Sequence, residues 1–70
     1  MKNYQFHIEP GEQDRVLALL REFNDVVVDK VTFDTVNFTI ELDDEEADAL
    51  YYEMLMEAEL RIFAERRHVH

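Results

Sequence analysis

The sequence has no cysteine, serine or tryptophan, and its 70 residues include one glycine and one proline. Without cysteine, the chain can form neither a disulfide nor a thiolate metal site. Cysteine and serine are also two common nucleophiles of covalent catalysis, so most hydrolase mechanisms are excluded. No apolar run approaches the roughly 20 residues of a transmembrane helix. We therefore expect a cytoplasmic protein with no membrane partner.

The composition favours one small folded domain. Hydrophobic residues make up 47% of the chain, including five phenylalanines and three tyrosines, which is enough to bury a core. A chain of this length is short for even one average domain, so two are not expected. We predict a single acidic domain over residues 1–70.

Basic residues are missing from the middle of the chain. Between Val31 and Leu60 there are ten acidic residues and no lysine or arginine, and the remaining segments balance, so this window carries the whole net charge of −10. Solubility alone does not require this pattern, because like charges one helical turn apart cost about 0.2–0.5 kcal/mol per pair. We predict that the window binds a partner through its acidic residues, which are Asp34, Glu41, Asp43, Asp44, Glu45, Glu46, Asp48, Glu53, Glu57 and Glu59.

Apolar periodicity predicts the elements of the first half. Residues 4–9 alternate between apolar and polar and indicate a strand, which Pro10 and Gly11 end. A helix of about three turns is expected to begin near Glu12. Residues 26–33 favour a second strand whose apolar alternation changes phase near Asp29 and Lys30, which a β-bulge or a tight turn would explain. After a short connection, residues 36–42 alternate again, so the two strands should form an antiparallel hairpin.

A long second helix is predicted to follow. Asp43 with Glu46 three residues later resembles a capping box, and no glycine or proline interrupts the chain from there to Arg67. One apolar stripe of this helix would cover the sheet. A second stripe lies on nearly the opposite side and is predicted to mediate self-association through Tyr52, Met56, Leu60 and Phe63.

These elements define the predicted fold class. We expect an α+β domain of order β-α-β-β-α, a three-stranded antiparallel sheet with two helices on one face. The residues expected to form its core are Phe6, Ile8, Val16, Leu20, Phe23, Phe38, Ile40, Leu50 and Met54.

No residue pattern predicts catalysis, a cofactor or a metal site. The acidic run from Asp43 to Glu46 lacks the glycine turn and ligand spacing of a calcium loop, and it is better explained by the positive end of a helix dipole. His68 and His70 form an H-x-H pair at a terminus, where we expect disorder rather than metal binding. Direct nucleic-acid binding is disfavoured because lysine and arginine are not clustered on the body of the chain. We therefore predict a protein that is not an enzyme.

Carboxylates one helical turn apart are about 6 Å apart, close to the separation of successive phosphates along one nucleic-acid strand. Glu53 and Glu57 have this spacing, Glu46 precedes them, and Glu41 and Asp43 extend the row. Such a surface is suited to a basic groove that normally holds DNA or RNA.

A small, acidic, cysteine-free α/β chain with the run Glu41-Leu42-Asp43-Asp44-Glu45-Glu46-Ala47-Asp48 resembles phage-encoded anti-CRISPR proteins, in particular those that block type I Cascade effectors by imitating DNA. The resemblance covers size, charge and element order, without a shared motif. It implies an inhibitor in the cytoplasm of a bacterial host, with a Cascade subunit as its partner. The alternative from the residues is a homodimeric structural or regulatory module, similar to an antitoxin, whose acidic surface only provides solubility.

Overall fold

The computed structural model describes residues 1–63 and contains the predicted α+β fold in the predicted order. The elements are β1 (Lys2–His7), α1 (Gln13–Leu20), β2 (Val26–Val31), β3 (Thr35–Ile40) and α2 (Asp44–Arg61). The predictions for His68 and His70 fall outside the described residues. Within residues 1–63, no helix has the length and apolar character needed to cross a membrane.

Strand β3 is the centre of a three-stranded antiparallel sheet of order β1-β3-β2. It pairs with β1 through residues such as Phe38 opposite Tyr4, and with β2 through the expected hairpin. Since both neighbours run antiparallel to β3, β1 and β2 run in the same direction, and α1 connects them. The alternation of β3 then buries Val36, Phe38 and Ile40 on the face that the helices cover.

The predicted change of phase in β2 is confirmed, and it is a bulge rather than a tight turn. Val28 is opposite Phe38, whereas Lys30 is opposite the next residue of β3, so one residue of β2 is extra at this point. The extra residue shifts the phase and returns Val31 to the helix-covered side, opposite Val36. Asp29 is left near the other face of the sheet.

Helix α1 is shorter than predicted. Gly11 adopts a φ of 96°, which residues with a side chain rarely adopt, and the helix begins two residues later. It has eight residues, about two turns rather than three. It ends because the amides of Glu22 and Phe23 bond to carbonyls three residues earlier, at Leu19 and Leu20, which tightens the chain into a turn.

Helix α2 begins where the sequence predicted, but without the predicted side-chain cap. Asp43 is the N-cap residue, and its carbonyl accepts the first helical hydrogen bond from Ala47 at 2.7 Å, yet its side chain caps no amide. The helix ends at Arg61, well before Arg67. Ile62 and Phe63 then turn into the core, where they are 3% and 6% exposed.

One apolar core joins the sheet to both helices. Phe38 is fully buried at its centre, with its ring 5.0 Å from Phe6 and 5.8 Å from Tyr4. Most of the predicted core is buried, and Phe23 and Leu50 are partly buried against it. The core also contains residues on the apolar faces predicted for α1, β3 and α2, which are Leu19, Val36, Ala47, Ala58 and Ile62. Phe63 was predicted to lie on the second stripe of α2 and is in the core instead.

We expect Phe38→Ala to destabilise the domain by about 3–5 kcal/mol, because it removes a ring from a fully enclosed site and leaves a cavity. Met56→Ala is the control, since Met56 is 65% exposed and its change should stay within about 0.5 kcal/mol. Urea denaturation measures both. Equal unfolding midpoints would contradict the central position of Phe38.

Candidate acidic interface

The densest group of carboxylates lies where β3 leads into α2. Glu41 and the four consecutive residues 43–46 are all exposed. The last three of them occupy the first turn of α2, where the helix dipole favours negative charge by about 0.3–1 kcal/mol per residue. Part of the repulsion within this group is therefore offset by the helix itself. Met1, Glu41, Leu42, Asp43 and Glu46 line a shallow concavity beside it.

A second set of carboxylates follows one side of α2. Because a helix turns once in 3.6 residues, Glu46, Glu53 and Glu57 lie along the same side and form what we call the acidic row. Glu46 and Glu53 are exposed and Glu57 is half-buried. Rises of about 10 Å and 6 Å separate successive members. The row thus continues the acidic start of the helix toward its other end.

In the folded protein, a basic residue from outside the acidic window lies against it. Because β1 pairs with β3, Lys2 comes within 2.8 Å of Asp48, and the Tyr4 hydroxyl donates to the same carboxylate at 2.6 Å. The hydrogen bonds from Lys2 and Tyr4 lower the pKa of Asp48 below its ordinary value. Partial burial and the bond to Asp48 raise the pKa of Tyr4 above its usual range. Asp48 therefore has a role within the fold.

Arg61 lies at the C-terminal end of the acidic row. Its guanidinium donates two hydrogen bonds to Glu22, at 2.6 and 3.0 Å, and lies 3.8 Å from Glu57. These bonds connect the end of α2 to the turn after α1, and Arg15 adds a bond to the Arg61 carbonyl. The pKa of Glu22 is lowered by its hydrogen bonds from Arg61. Glu57 is thus less available to a partner than Glu53.

Two predicted partner-binding residues lie away from this surface. Asp34 sits in the β2–β3 turn, where its carboxylate accepts a bond from Thr32 at 3.2 Å. The whole length of β3, about 20 Å, separates it from Glu41. Glu59 is half-buried on the side of α2 opposite to the acidic row. Asp48 and Glu57 are also set aside, because they pair with Lys2 and Arg61. The other six carboxylates form the candidate interface: Glu41, Asp43, Asp44, Glu45, Glu46 and Glu53.

The second apolar stripe of α2 loses one of its four predicted members. Phe63 lies in the core, with its ring 6.2 Å from that of Phe6, because the chain leaves the helix after Arg61. Tyr52, Met56 and Leu60 remain on the outer side of the helix, and we call these three residues the apolar ridge. They are 63%, 65% and 73% exposed, respectively.

The face of the sheet opposite the helices carries a hydrogen-bonded polar surface that the sequence analysis did not single out. Gln5 donates to Asn37 at 2.8 Å, and the Thr39 hydroxyl lies 2.6 Å from Asp29 and 3.1 Å from Asn3. A hydroxyl donates one hydrogen bond, and the shorter distance assigns it to the Asp29 carboxylate. The polar residues that alternate with apolar ones along β1 and β3 are the feature of the sequence from which this surface could have been predicted. The bulge, which brings Asp29 to them, completes the surface.

Residues 1–63 contain no group of three or more histidine, aspartate or glutamate side chains placed to hold a metal ion. Comparison of the chain with protein-family models, curated protein sequences and solved structures found no match.

Asp48→Asn should lower stability at pH 7, and this deficit should shrink under acid. A carboxyl whose pKa is lowered by folding stabilises the protein above its unfolded pKa, about 3.9 for aspartate, and loses this effect as the pH falls through the folded value. The difference in unfolding free energy between wild type and variant should thus narrow below about pH 4. Urea denaturation at pH 7 and pH 3 measures it.

Glu53→Gln is the matched control for Asp48→Asn. It removes one negative charge from the same helix at an exposed position. At pH 7 it should leave stability unchanged or raise it, because it relieves repulsion. Equal deficits at pH 7 in the two variants would contradict the assigned ion pair.

Proposed function

We propose that the protein is a non-enzymatic inhibitor that occupies the basic nucleic-acid groove of another protein, with a CRISPR effector such as Cascade as the target that the resemblance implies. The candidate interface would be its contact surface. The observation that carries the proposal is the exposed group of carboxylates that runs from the end of β3 onto α2.

The spacing of charge along α2 supports this proposal. Four carboxylates of the candidate interface, Asp44, Glu45, Glu46 and Glu53, lie within the 18 residues of the helix, which is about one per 7 Å of its axis. Measured along the axis of the double helix, one strand of DNA carries a phosphate about every 3.4 Å, and both strands together carry one per about 1.7 Å. The density is therefore closer to that of a single strand. A groove that holds one nucleic-acid strand fits the helix better than a channel that encloses a duplex.

The placement of the charge also favours recognition from one side. The first 30 residues of the chain carry six carboxylates and four basic residues, whereas the carboxylates of the candidate interface are exposed and concentrated toward one end of α2. A concentrated charge steers an oppositely charged partner and raises the association rate, an effect that salt screens over about 8 Å at physiological ionic strength. Binding should accordingly weaken as salt increases.

The alternative is a homodimeric structural or regulatory module, and the apolar ridge is the observation that favours it. Soluble monomers seldom expose contiguous apolar patches unless these patches bind something. Two chains associated through Tyr52, Met56 and Leu60 would cover the ridge and leave the acidic surface a solubilising role. Light scattering at micromolar concentration distinguishes a mass of two chains from a mass of one.

The proposal is tested by competition with DNA. Purified type I Cascade, loaded with guide RNA, is mixed with a labelled matching DNA and increasing amounts of the protein, and fluorescence anisotropy reports the bound DNA. The wild type should displace DNA, and more salt should weaken the effect. Simultaneous binding of DNA and the protein, or unchanged DNA binding at saturating protein, would refute inhibition of this effector.

Glu45→Lys combined with Glu53→Lys should greatly reduce the displacement, since each replacement reverses an exposed charge of the candidate interface. The matched control is Asp14→Lys with Asp25→Lys. Both double variants carry a net charge of −6, because each replacement adds two units to −10. Asp14 also lies in the first turn of a helix, so the loss of dipole stabilisation is comparable. An equal reduction in both variants would mean that net charge, rather than this surface, determines binding.

The same variants also test whether the target is the basic groove of a nucleic-acid-binding protein other than Cascade. Each protein is immobilised, exposed to a bacterial extract and eluted with increasing salt. A nucleic-acid-binding protein should be retained by the wild type and by the Asp14 and Asp25 variant, and DNA should displace it. Retention of proteins that bind no nucleic acid would count against the proposal.

A further inference from the structure

Strand β1 is an edge strand of the sheet. It pairs with β3 on one side, and no strand of the described part of the chain pairs with it on the other. The amide of Ile8 donates to the carbonyl of Asp34 at 2.8 Å, so the backbone groups of Ile8 point toward β3. Because this direction alternates along an antiparallel strand, the N–H and C=O groups of Asn3, Gln5 and His7 point to the outer edge.

The other edge strand, β2, is poorly suited to pairing with a further strand. Its bulge adds one residue between Val28 and Lys30 and interrupts the alternation of its backbone groups. The charged residues Asp29 and Lys30 are exposed at this point. Bulges and charges are two means by which proteins prevent association of sheet edges. Strand β1 pairs with β3 without a bulge, and its one lysine, Lys2, is at its start.

The sequence of β1 complements a second copy of itself. Two copies related by a twofold axis between their Gln5 residues would pair antiparallel, with Asn3 of each chain opposite His7 of the other. All three outward-pointing residues of each chain would then be paired, in about six hydrogen bonds. On the helix-covered side, Tyr4 of each chain would lie opposite Phe6 of the other, and cross-strand aromatic pairs stabilise sheets.

Aromatic side chains of α2 lie over the middle of β1. The Tyr51 ring is 4.5 Å from that of Tyr4 and 5.9 Å from that of Phe6, which places it at the level of Gln5. Tyr4 and Tyr51 are half-buried, and Tyr52 next to them is exposed, so all three have surface left to bury. A second copy would bring the same aromatic group to the other side of the seam. Burial of aromatic surface is a main source of stability in protein interfaces.

Charge also favours β1 as the contact between two chains of net charge −10. The strand carries no carboxylate, and Asp48, which reaches it from α2, is bonded to Lys2. The two Lys2 residues would lie at opposite ends of the seam, about 20 Å apart, which exceeds the screening length of about 8 Å. The candidate interface is at this same end of β1, where Met1 and Glu41 line one concavity. The two acidic surfaces would therefore be kept apart.

We infer that β1 is the contact between two copies of this chain, which pair edge to edge and form one continuous antiparallel sheet. The inference does not rest on the proposed function, because it concerns another part of the surface and leaves the candidate interface exposed in both copies. It also differs from a dimer formed through the apolar ridge. Its main contacts are backbone hydrogen bonds of β1, and it does not require Met56 or Leu60.

Hydrogen exchange of the wild type, followed by NMR, tests the pairing directly. The amides of the even-numbered residues of β1 face β3 and should be protected at every concentration. The amides of Asn3, Gln5 and His7 should be protected at millimolar concentration and should exchange at least about tenfold faster once dilution has produced the monomer. Equal exchange of these three amides in the dimer and in the monomer would overturn the inference.

Gln5→Glu should weaken the dimer about tenfold or more, because it places two carboxylates directly opposite each other across the seam. The side chain is exposed and similar in size, so the fold should tolerate the change. The matched control is Asn37→Asp, which lies opposite Gln5 on β3 and adds the same single negative charge. Its carboxylates would be about 14 Å apart in the dimer, and its dissociation constant should equal that of the wild type. Sedimentation equilibrium measures all three proteins.

Three results of these measurements would also overturn the inference. The first is a wild type that remains a single chain at millimolar concentration, which would leave the edge to a strand of another protein or to none. The second is equal weakening by Gln5→Glu and Asn37→Asp, which would indicate general charge repulsion. The third is a dimer that Met56→Gln with Leu60→Gln converts to a monomer while Gln5→Glu leaves it intact, which would assign the contact to the apolar ridge.

Discussion

The burial of Phe38 is the interaction on which the rest of the structure depends. Its ring lies on the central strand, within 5.0 Å of Phe6 and 6.4 Å of Tyr51, and so joins β1 and α2 to β3. A domain of this size has few other means of holding its layers together, because it has no disulfide and few residues to bury. Every surface feature of α2 is positioned by the side of the helix that packs over this ring.

Helix α2 packs against the core on one side and carries the exposed carboxylates on the other, which a shorter or more symmetrical helix could not do. One side supplies Ala47, Met54 and Ala58 to the core, all fully buried. The opposite side carries carboxylates and three exposed apolar residues. Repulsion along this side is offset in part by the helix dipole at the start, by Lys2 at Asp48 and by Arg61 at the end. These offsets are modest, since exposed ion pairs contribute little, so the buried side must stabilise the helix.

Much of the fold could be predicted because its signals are local. Alternation in β1 and β3, the Pro10–Gly11 turn and the change of phase in β2 each follow from a few neighbouring residues, and all were found in the structure. The ends of the helices could not be predicted. The end of α1 depends on backbone hydrogen bonds in the turn that follows it, and α2 ends where Ile62 and Phe63 can reach the core. Propensity alone would have continued both helices.

For the candidate site too, some features could be predicted from the sequence and others could not. By itself, the sequence determined the fold class, the acidic window and the outward position of Tyr52, Met56 and Leu60, because composition and helical period are properties of consecutive residues. Only the tertiary structure decided that Lys2 reaches Asp48, that Arg61 bridges Glu22 and Glu57, that Asp34 lies apart and that Phe63 belongs to the core. Each of these features depends on residues that are distant in the chain. They are set by the order of the strands and by the direction in which the chain leaves a helix, and both of these depend on how the whole core packs.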